Sequence, residues 1–380
     1  MRLLLAIPYF TPAYAFGGSV TVAETVVQDA LAAGHEVTVV TTDVLDEHQR
    51  IPEGAPAEPA GATVVRFPNV SHRLAAGANG YLPRGYRRWL RRNIAGFDVV
   101  LLHDVYSMVS VGAARAARKA GVPFALQPLG TLSPAAERGR PLAKRLFLKL
   151  FADRTLRDAT ALIHSTAAER QDFLDVGAEA SKLTRLPLPL ELPRLSGIAP
   201  AERPTIAYVG RLHEIKGIDQ LIRALPLVAQ RVEDVRVVIV GPGERYQRQL
   251  EAIVAELGIG GAVEFRGFVE LEEKFRVLES SHAFALLSKS EGLPMAALEA
   301  MATGTAVVLS EGCHLPEVDG TAGLVVPGGA ADAAEALVTL LLDEPRRVRY
   351  AAAARVFAED FRREVVMPRM LDFLESIARR

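Results

Sequence analysis

Two glutamates separated by seven residues, Glu291 and Glu299, have the clearest arrangement for chemistry in this sequence. Glu291 lies in a predicted strand-to-helix loop, and Glu299 lies in the helix that the loop opens. The N-terminus of a helix favours anions such as phosphate, whereas carboxylates accept hydrogen bonds from hydroxyls. The pair therefore predicts a cradle for a nucleotide sugar. An ordinary strand–loop–helix unit with two solvated glutamates is the alternative that this stretch alone leaves open.

The elements that position these glutamates can be recognised from their pattern. The apolar run 283–287 is typical of a buried parallel strand. Gly292 permits a sharp turn, and Pro294 suits the first turn of a helix. Gly304 is placed to end that helix, whose apolar side chains recur at helical spacing as Met295, Leu298 and Met301.

A second group of chemical interest is the segment 210–217, which follows the predicted strand 205–209. After Gly210, Arg211 and Lys216 project from the carboxyl end of that strand, where open α/β sheets bind ligands. Together they could hold a diphosphate and stabilise it as a leaving group. The chain contains no Asp-x-Asp pair to hold a divalent ion, so we expect side-chain cations to replace a metal. A solvated charged loop is the alternative.

The first half of the chain begins in the order of a Rossmann-like sheet: strand 3–7, helix 19–33 and strand 37–41. The pair Gly17-Gly18 precedes the helix, and its small size would let a ligand approach the backbone. The full G-x-G-x-x-G fingerprint is absent, which argues against a dinucleotide oxidoreductase. His103 ends the apolar strand 98–102, a position that favours a site role over a purely structural one.

The length of the chain predicts two domains, and the alternation of strands and helices predicts the α/β class. The 380 residues are 49% hydrophobic and 23% charged, with one cysteine, Cys313, and no apolar run long enough to span a membrane. We therefore expect a cytoplasmic protein without disulfides. Strand–helix alternation predicts two similar domains, 1–190 and 205–360, with a cleft between them, and the proline-rich stretch 191–204 as linker.

The basic charge of the first half is concentrated in residues 84–157, which carry 15 Lys+Arg and 4 Asp+Glu. Within this region, 81–92 and 142–156 interleave aromatic or leucine residues with arginine and lysine. Such helices can lie on anionic membranes, so peripheral attachment to the inner face of the membrane is a hypothesis. An apolar face buried in the core is the alternative. Nucleic acid is not expected as a partner, because no recognised binding module is present.

The motifs together resemble the retaining glycosyltransferases of family 4, which have the GT-B fold. The resemblance is carried by Gly210-Arg211 with Lys216-Gly217, and by Ser290-Glu291-Gly292-Leu293-Pro294 followed by Glu299-Ala300-Met301-Ala302 and Gly304. The segment 34–39 resembles the second strand of that family. The resemblance implies an acceptor-side first domain, a donor-binding second domain, and a C-terminal helix 361–380 that returns to the first domain.

The resemblance also implies a role for each matching residue. Arg211 and Lys216 would grip the donor diphosphate, Glu299 the ribose hydroxyls, and Glu291 the hydroxyls of the transferred sugar. The other implied donor contacts are Gly17 and Gly18 in a closing loop, His103 at the donor sugar, Gly210, Gly292, the backbone of Leu293, Pro294 and Met295, and Val269 at the nucleobase. Leu129 departs from the family, in which a polar or basic residue often precedes the glycine equivalent to Gly130.

We therefore expect transfer of a hexose or hexosamine from a UDP- or GDP-linked donor to a hydroxyl of a glycan or lipid-linked acceptor. Retention of configuration follows from the resemblance alone. We expect no cofactor and no catalytic metal. Two alternatives stay open: a nucleotide-sugar epimerase on the same fold, and a non-catalytic partner subunit of a glycosyltransferase complex.

Overall fold

The computed structural model describes residues 1–16, 18–46, 49–52, 59–70, 81–132, 146–192 and 195–378. The chain divides into two compact units. The first comprises Met1–Pro189 and Val366–Arg380, and the second comprises Leu190–Val365.

The first unit is built on a parallel seven-stranded sheet in the order β3-β2-β1-β4-β5-β6-β7. Its strands are short apolar runs with most residues buried, as expected where helices cover both faces of a sheet. The strands are β1 Arg2–Ala6, β2 Glu36–Thr42, β3 Thr63–Phe67, β4 Val99–His103, β5 Phe124–Gln127, β6 Ala161–His164 and β7 Leu183–Arg185. The helices are α1 Gly18–Ala32, α2 Tyr86–Asn93, α3 Met108–Ala120, α4 Asp153–Asp158 and α5 Ala167–Asp175.

The second unit contains a parallel six-stranded sheet in the order β10-β9-β8-β11-β12-β13. Its strands are β8 Thr205–Val209, β9 Arg236–Val240, β10 Val263–Gly267, β11 Ala283–Leu286, β12 Ala306–Ser310 and β13 Gly323–Val326. Its helices are α6 Ile218–Ala229, α7 Glu244–Glu256, α8 Leu271–Glu279, α9 Met295–Thr303, α10 Ala330–Leu342 and α11 Glu344–Glu359.

Both sheets reverse their strand order at one point, which lies between β1 and β4 in the first unit and between β8 and β11 in the second. In open parallel sheets the loops at the carboxyl ends of these strands form the usual ligand site. The predicted α/β class with two Rossmann-like units is confirmed. The same topology places the segment 210–217 beside the loop that carries Glu291.

The last helix, α12 Arg363–Ile377, packs into the core of the first unit. Its apolar side chains share one buried cluster with Leu3 and Leu5 of β1 and Val26 of α1. The residues that α12 contributes are Met367, Met370, Leu371 and Leu374. The predicted return of the C-terminal helix to the first domain is thus observed.

The aromatic residues of 81–92 belong to the core of the first unit. Tyr81, Tyr86 and Leu90 are almost fully buried, and the Tyr86 hydroxyl donates a hydrogen bond to Val109 O at 2.9 Å. The exposed side chains of α2 are those of its arginines and its last residue, Asn93. The prediction that the apolar face of this stretch lies on a membrane is therefore wrong, because that face packs against α3.

The second basic stretch, 142–156, is described from residue 146 onward, and its first four residues lie outside the described residues. No helix within the described ranges has the length and apolar content needed to cross a bilayer.

Candidate functional site

The loop after β8 is held by its backbone and leaves the Arg211 side chain exposed. Gly210 has a φ of 149°, a conformation that favours glycine, and its N–H donates to Val240 O at 2.9 Å. The Tyr208 hydroxyl donates to Arg211 O at 3.1 Å. Within the described part of the chain the Arg211 guanidinium has no ion pair. The backbone of Arg211 is thus fixed, and its guanidinium group is available to bind an anion.

The same loop packs backbone to backbone against the end of β11. Gly217 has a φ of 66°, and a Cβ at this position would overlap Leu287 O. Ile215 O accepts hydrogen bonds from Lys289 N–H at 2.7 Å and from the Ser288 hydroxyl at 3.0 Å. Any side chain larger than hydrogen at residue 217 would separate the two loops, so the glycine allows their contact.

This close packing brings Lys216 and Glu291 together across 75 residues of sequence. Lys216 Nζ lies 2.7 Å from Glu291 Oε1 and 2.9 Å from Oε2, and the two side chains are 23% and 10% exposed. The Glu291 backbone is fixed as well: its N–H donates to Gly312 O at 2.8 Å, and its carbonyl accepts from His314 Nδ1 at the same distance. Lys216 therefore neutralises Glu291 and occupies both of its oxygens.

The turn into α9 presents backbone donors next to this ion pair. In the described part of the chain, the N–H groups of Gly292 and Leu293 have no hydrogen-bond partner. Pro294 caps the helix by accepting from Ala297 N–H at 2.9 Å, and Met295 is its first residue. Free N–H groups at the start of a helix favour an anionic or strongly polar ligand atom.

Glu299, on the next turns of α9, is paired with a residue that sequence reasoning missed. Lys274 of α8 approaches Glu299 Oε1 at 2.7 Å, and the two side chains are 20% and 15% exposed. Lys274 contacts only this one oxygen, which leaves Oε2 for a ligand hydroxyl. No sequence pattern indicated Lys274, because it lies in an ordinary amphipathic helix, and only the fold brings it to Glu299.

Val269 follows the end of β10, where Gly267 turns the chain with a φ of 64°. The Val269 side chain packs partly against the core of the second unit. Its neighbour Phe268 is 72% exposed and was not selected from the sequence. An exposed aromatic ring at the carboxyl end of a strand is a platform on which a planar base could stack.

His103 lies at the carboxyl end of β4 and is fully buried. Burial lowers the pKa of its imidazole to about 3, and the Gln127 amide on neighbouring β5 offsets this only in part. Neither ring nitrogen makes a hydrogen bond of good geometry, and the same holds for the amide atoms of Gln127. His103 is thus neutral, and polar atoms that ordinarily find partners are left for water or a ligand.

The glycine pair of the first unit is seen only in part, because Gly17 lies outside the described residues. Gly18 is the first residue of α1, and a Cβ added there would meet no atom within 4 Å. Nearby, Tyr9 stacks on Phe16 with ring centroids 4.3 Å apart. Burial, and then the charge of Asp104, raise the pKa of the Tyr9 phenol. The paired strands β1 and β4 therefore bring Tyr9 and Asp104 close enough to interact beyond their carboxyl ends.

The described residues contain no group of three or more His, Cys, Asp or Glu side chains arranged to hold a metal ion. Cys313 is buried, and its thiol donates to Leu286 O at 3.3 Å. Burial raises the pKa of this thiol to about 11, so it is protonated at neutral pH. A thiolate nucleophile at Cys313 is therefore not available.

Two family models together match most of the length of the chain, each over one part of it. Residues 17–189 match the model described as glycosyl transferase 4-like domain, and residues 196–357 match glycosyl transferases group 1.

Among curated relatives, the GDP-mannose-dependent alpha-(1-6)-phosphatidylinositol monomannoside mannosyltransferase of Mycobacterium tuberculosis is 34% identical over 190 residues. This match covers 46% of this chain and 48% of the relative, so the chain spans about half the length of that protein. The phosphatidyl-myo-inositol mannosyltransferase of Mycolicibacterium smegmatis is 28% identical over 91% of this chain and 86% of its own. The Anabaena HepE structure with UDP and glucose has a TM-score of 0.75 at 20% identity, covering 99% of this chain and 100% of HepE.

Proposed function

Because the chain belongs to family 4 of the glycosyltransferases and has their GT-B fold, we propose that it transfers a hexose or hexosamine from a nucleoside-diphosphate sugar to a hydroxyl acceptor, with retention of configuration. The observation that carries this proposal is the pairing of both glutamates with lysines at the switch point of the second sheet. That arrangement offers acceptors for sugar hydroxyls beside cations for a diphosphate.

The first task of the site is to bind and stabilise the diphosphate leaving group. Arg211 and Lys216 bind the diphosphate, and the free N–H groups of Gly292 and Leu293 contact its terminal phosphate or the sugar. As the bond from the sugar C1 to the phosphate oxygen breaks, its electron pair stays on that oxygen. The two cations stabilise the charge that develops there, which is the part otherwise played by a metal ion. We therefore propose that no metal is required.

The acceptor hydroxyl attacks C1 from the face that the phosphate leaves. Its oxygen forms the new glycosidic bond, and its proton passes to the departing phosphate oxygen, so no protein nucleophile is needed. This mechanism accords with the protonated thiol of Cys313. Because the leaving and attacking groups share one face, the configuration at C1 is retained.

The two glutamates orient the donor. Glu299 accepts the ribose hydroxyls through its free Oε2, with Lys274 holding Oε1. Glu291 accepts hydroxyls of the transferred sugar once the diphosphate draws Lys216 away from it. Val269, with its backbone, and the exposed Phe268 ring form the position for the nucleobase.

The first unit would supply the acceptor side and the donor-sugar contacts of His103, with Gly17 and Gly18 in the loop that closes over the ligand. In this proposal the first domain is 1–190 with the C-terminal helix 361–380, the linker is 191–204, and the second domain is 205–360. The mannosyltransferase relatives favour a GDP-linked mannose and a phosphatidylinositol-type glycolipid acceptor, whereas the HepE structure favours a UDP-linked sugar. Both nucleotides therefore belong in the test. A cytoplasmic location, peripheral to the membrane, completes the proposal.

The test is incubation with a panel of radiolabelled UDP- and GDP-sugars, first without an acceptor. We expect slow hydrolysis of one donor, and its loss in Lys216→Met. Lys289→Met is the matched control, since Lys289 is an exposed lysine of the adjacent loop that carries Glu291 and has no ion pair among the described residues. Formation of an epimeric sugar nucleotide would favour the epimerase alternative. Tight nucleotide binding without any turnover, with or without glycolipid acceptors, would favour a non-catalytic partner subunit.

A further inference from the structure

The surface of the first unit contains a cavity of about 250 Å³ that the proposed reaction does not use. It lies between α3 and the helical stretch that leads into α4. Three arginines line it, together with a single carboxylate: Arg115, Arg118, Arg154 and Asp158. The cavity therefore has a formal charge of +2, from three cations and one anion.

The ion pairs of the cavity leave part of this positive charge unused. The Nε atoms of Arg118 and Arg154 both approach Asp158 Oδ2, at 3.1 and 3.3 Å. Arg115 has no ion pair within the part of the chain that the structure describes. One carboxylate oxygen thus serves two guanidinium groups while a third stays free. A phosphate or phosphodiester group would supply the missing acceptors in the geometry that guanidinium groups prefer.

Large apolar side chains stand on the outer surface beside these arginines. Leu150 and Phe151 line the cavity and are 61% and 43% exposed, and Leu146, one turn earlier, is 57% exposed. Phe147 is partly buried against the core: its ring centroid lies 6.0 Å from that of Tyr106 and 5.3 Å from that of Phe151. The helix is therefore anchored by one face, and its other face is an apolar rim formed by Leu146, Leu150 and Phe151.

The local backbone explains how the rim arises. Residues Leu148–Ala152 form a π-helical segment, in which Asp153 N–H donates to Leu148 O, five residues earlier. A π-helical turn accommodates more residues than an α-helical turn and rotates the side chains that follow. Leu150 and Phe151 lie within this segment and are exposed, although the segment is apolar enough to be buried. Such insertions are frequent at functional positions.

We propose that this cavity and the apolar rim dock the first unit on an anionic phospholipid bilayer. One lipid phosphodiester enters the cavity among Arg115, Arg118 and Arg154, and the rim inserts among the headgroups. A site for a soluble anion would not need exposed leucine and phenylalanine, and a purely apolar contact would not need three arginines. An anionic membrane surface offers both partners at once. The proposal deepens the membrane-linked acceptor of the proposed function, on which its purpose rests but its test does not.

The test is sedimentation with sucrose-loaded vesicles, using the full chain without donor or acceptor. Vesicles of phosphatidylcholine alone are compared with vesicles of equal parts phosphatidylcholine and phosphatidylglycerol. We expect binding to the anionic vesicles only, weakened about 30-fold in Arg115→Gln/Arg154→Gln, since each cation near an anionic surface contributes about 1 kcal/mol. Arg118 remains to pair with Asp158 in this variant. Leu150→Ser/Phe151→Ser should weaken binding by a similar factor.

The matched control is Arg91→Gln/Arg92→Gln, which removes the same charge from exposed positions of α2, outside the cavity. An equal loss in this control would show that binding depends on net charge and would overturn the cavity proposal. If inorganic phosphate stabilised the protein against thermal unfolding and the protein sedimented with neither vesicle, the cavity would be a site for a soluble anion. That result would contradict the proposal of membrane docking. Donor hydrolysis by all variants should match the wild type. Vesicle binding by a chain that neither hydrolyses a donor nor transfers its sugar to a glycolipid acceptor would refute the proposed function and leave the docking surface standing.

Discussion

The ion pair between Lys216 and Glu291 predicts a change in nucleotide affinity whose direction is not obvious. In the structure the lysine that should bind the diphosphate is already bound to both oxygens of the glutamate, at 2.7 and 2.9 Å. Glu291→Gln keeps the shape of the side chain and removes its charge. We expect this variant to bind free UDP or GDP more tightly than the wild type and to turn over its donor more slowly, because a neutral amide is a weaker acceptor for the sugar hydroxyls than a carboxylate.

The size of the expected gain in nucleotide affinity follows from two opposing contributions. A hydrogen bond to a charged group contributes about 1.5–3 kcal/mol, and Lys216 must exchange such contacts with Glu291 for contacts with phosphate. Opposite charges about 4 Å apart attract by about 4 kcal/mol at an effective dielectric constant of 20, but desolvation offsets most of this. A net gain of about 1 kcal/mol is reasonable for a pair that is 23% and 10% exposed. The dissociation constant should therefore fall about fivefold.

Isothermal titration calorimetry with UDP and with GDP measures this change. Lys216→Met should weaken binding strongly, and the exposed Lys289→Met should leave it unchanged. The decisive comparison is the double variant Lys216→Met/Glu291→Gln. If the gain comes from releasing Lys216, adding Glu291→Gln to Lys216→Met should no longer improve affinity. Weaker binding by Glu291→Gln alone, or the same gain in the Lys216→Met background, would refute the reasoning.

Three further predictions concern other parts of the chain. Lys274→Met should raise the nucleotide dissociation constant about tenfold, because a charge-assisted contact of about 1.5 kcal/mol holds Glu299. Lys274→Arg keeps the charge and should bind the nucleotide like the wild type. An affinity of Lys274→Met equal to that of the wild type would contradict this role. Transfer should persist in excess EDTA, and a complete loss that magnesium reverses would disprove the role given to Arg211 and Lys216. Unfolding free energy should fall as the pH drops from about 6.5 toward 3, since unfolded His103 takes up a proton that the folded imidazole, with its pKa lowered to about 3, does not bind. The slope, up to about 1.4 kcal/mol per pH unit, should be shallower in His103→Gln during urea titrations, and identical slopes would exclude His103 as the cause.

The local elements of the site could be predicted from sequence because their signals are local. Gly304 ends α9 with a φ of 79°, and the apolar run before Glu291 is a strand in the middle of a parallel sheet. These signals depend on residues only a few positions apart. They were enough to locate the loops that carry Arg211 and Glu291 and to assign the fold class as a whole.

The contacts within the site could not be predicted, because they join distant parts of the chain. Lys216 and Glu291 are 75 residues apart, and Lys274 and Glu299 are 25 apart. A lysine in an amphipathic helix such as α8 has the same local pattern whether it faces solvent or a carboxylate. Only the order of the strands, which brings these elements side by side, decides between the two.

The two basic stretches also show that a sequence pattern does not reveal what a helix packs against. An alternation of aromatic and basic residues is compatible with a helix on a membrane and with a helix on a protein core. In α2 the aromatic face is buried, with Tyr86 2% exposed, whereas beyond the core Leu150 is 61% exposed. The two apolar faces differ in exposure because one packs against a neighbouring helix and the other does not. The π-helical turn in the second stretch had no recognisable sequence pattern.

The return of α12 to the first unit has a consequence for how the protein is made. On the ribosome the strands of the first sheet emerge before the second unit, but Met367, Met370 and Leu374, which cover Leu3 and Leu5, emerge after it. At about 5–20 residues per second, synthesis of the intervening second unit takes roughly 10–40 s. During that interval the older sheet keeps an uncovered apolar face, while the second unit, continuous from Leu190 to Val365, can complete its core as it emerges. The first unit is therefore completed only after the second, and chaperones that bind nascent chains have a defined surface and a defined time in which to act.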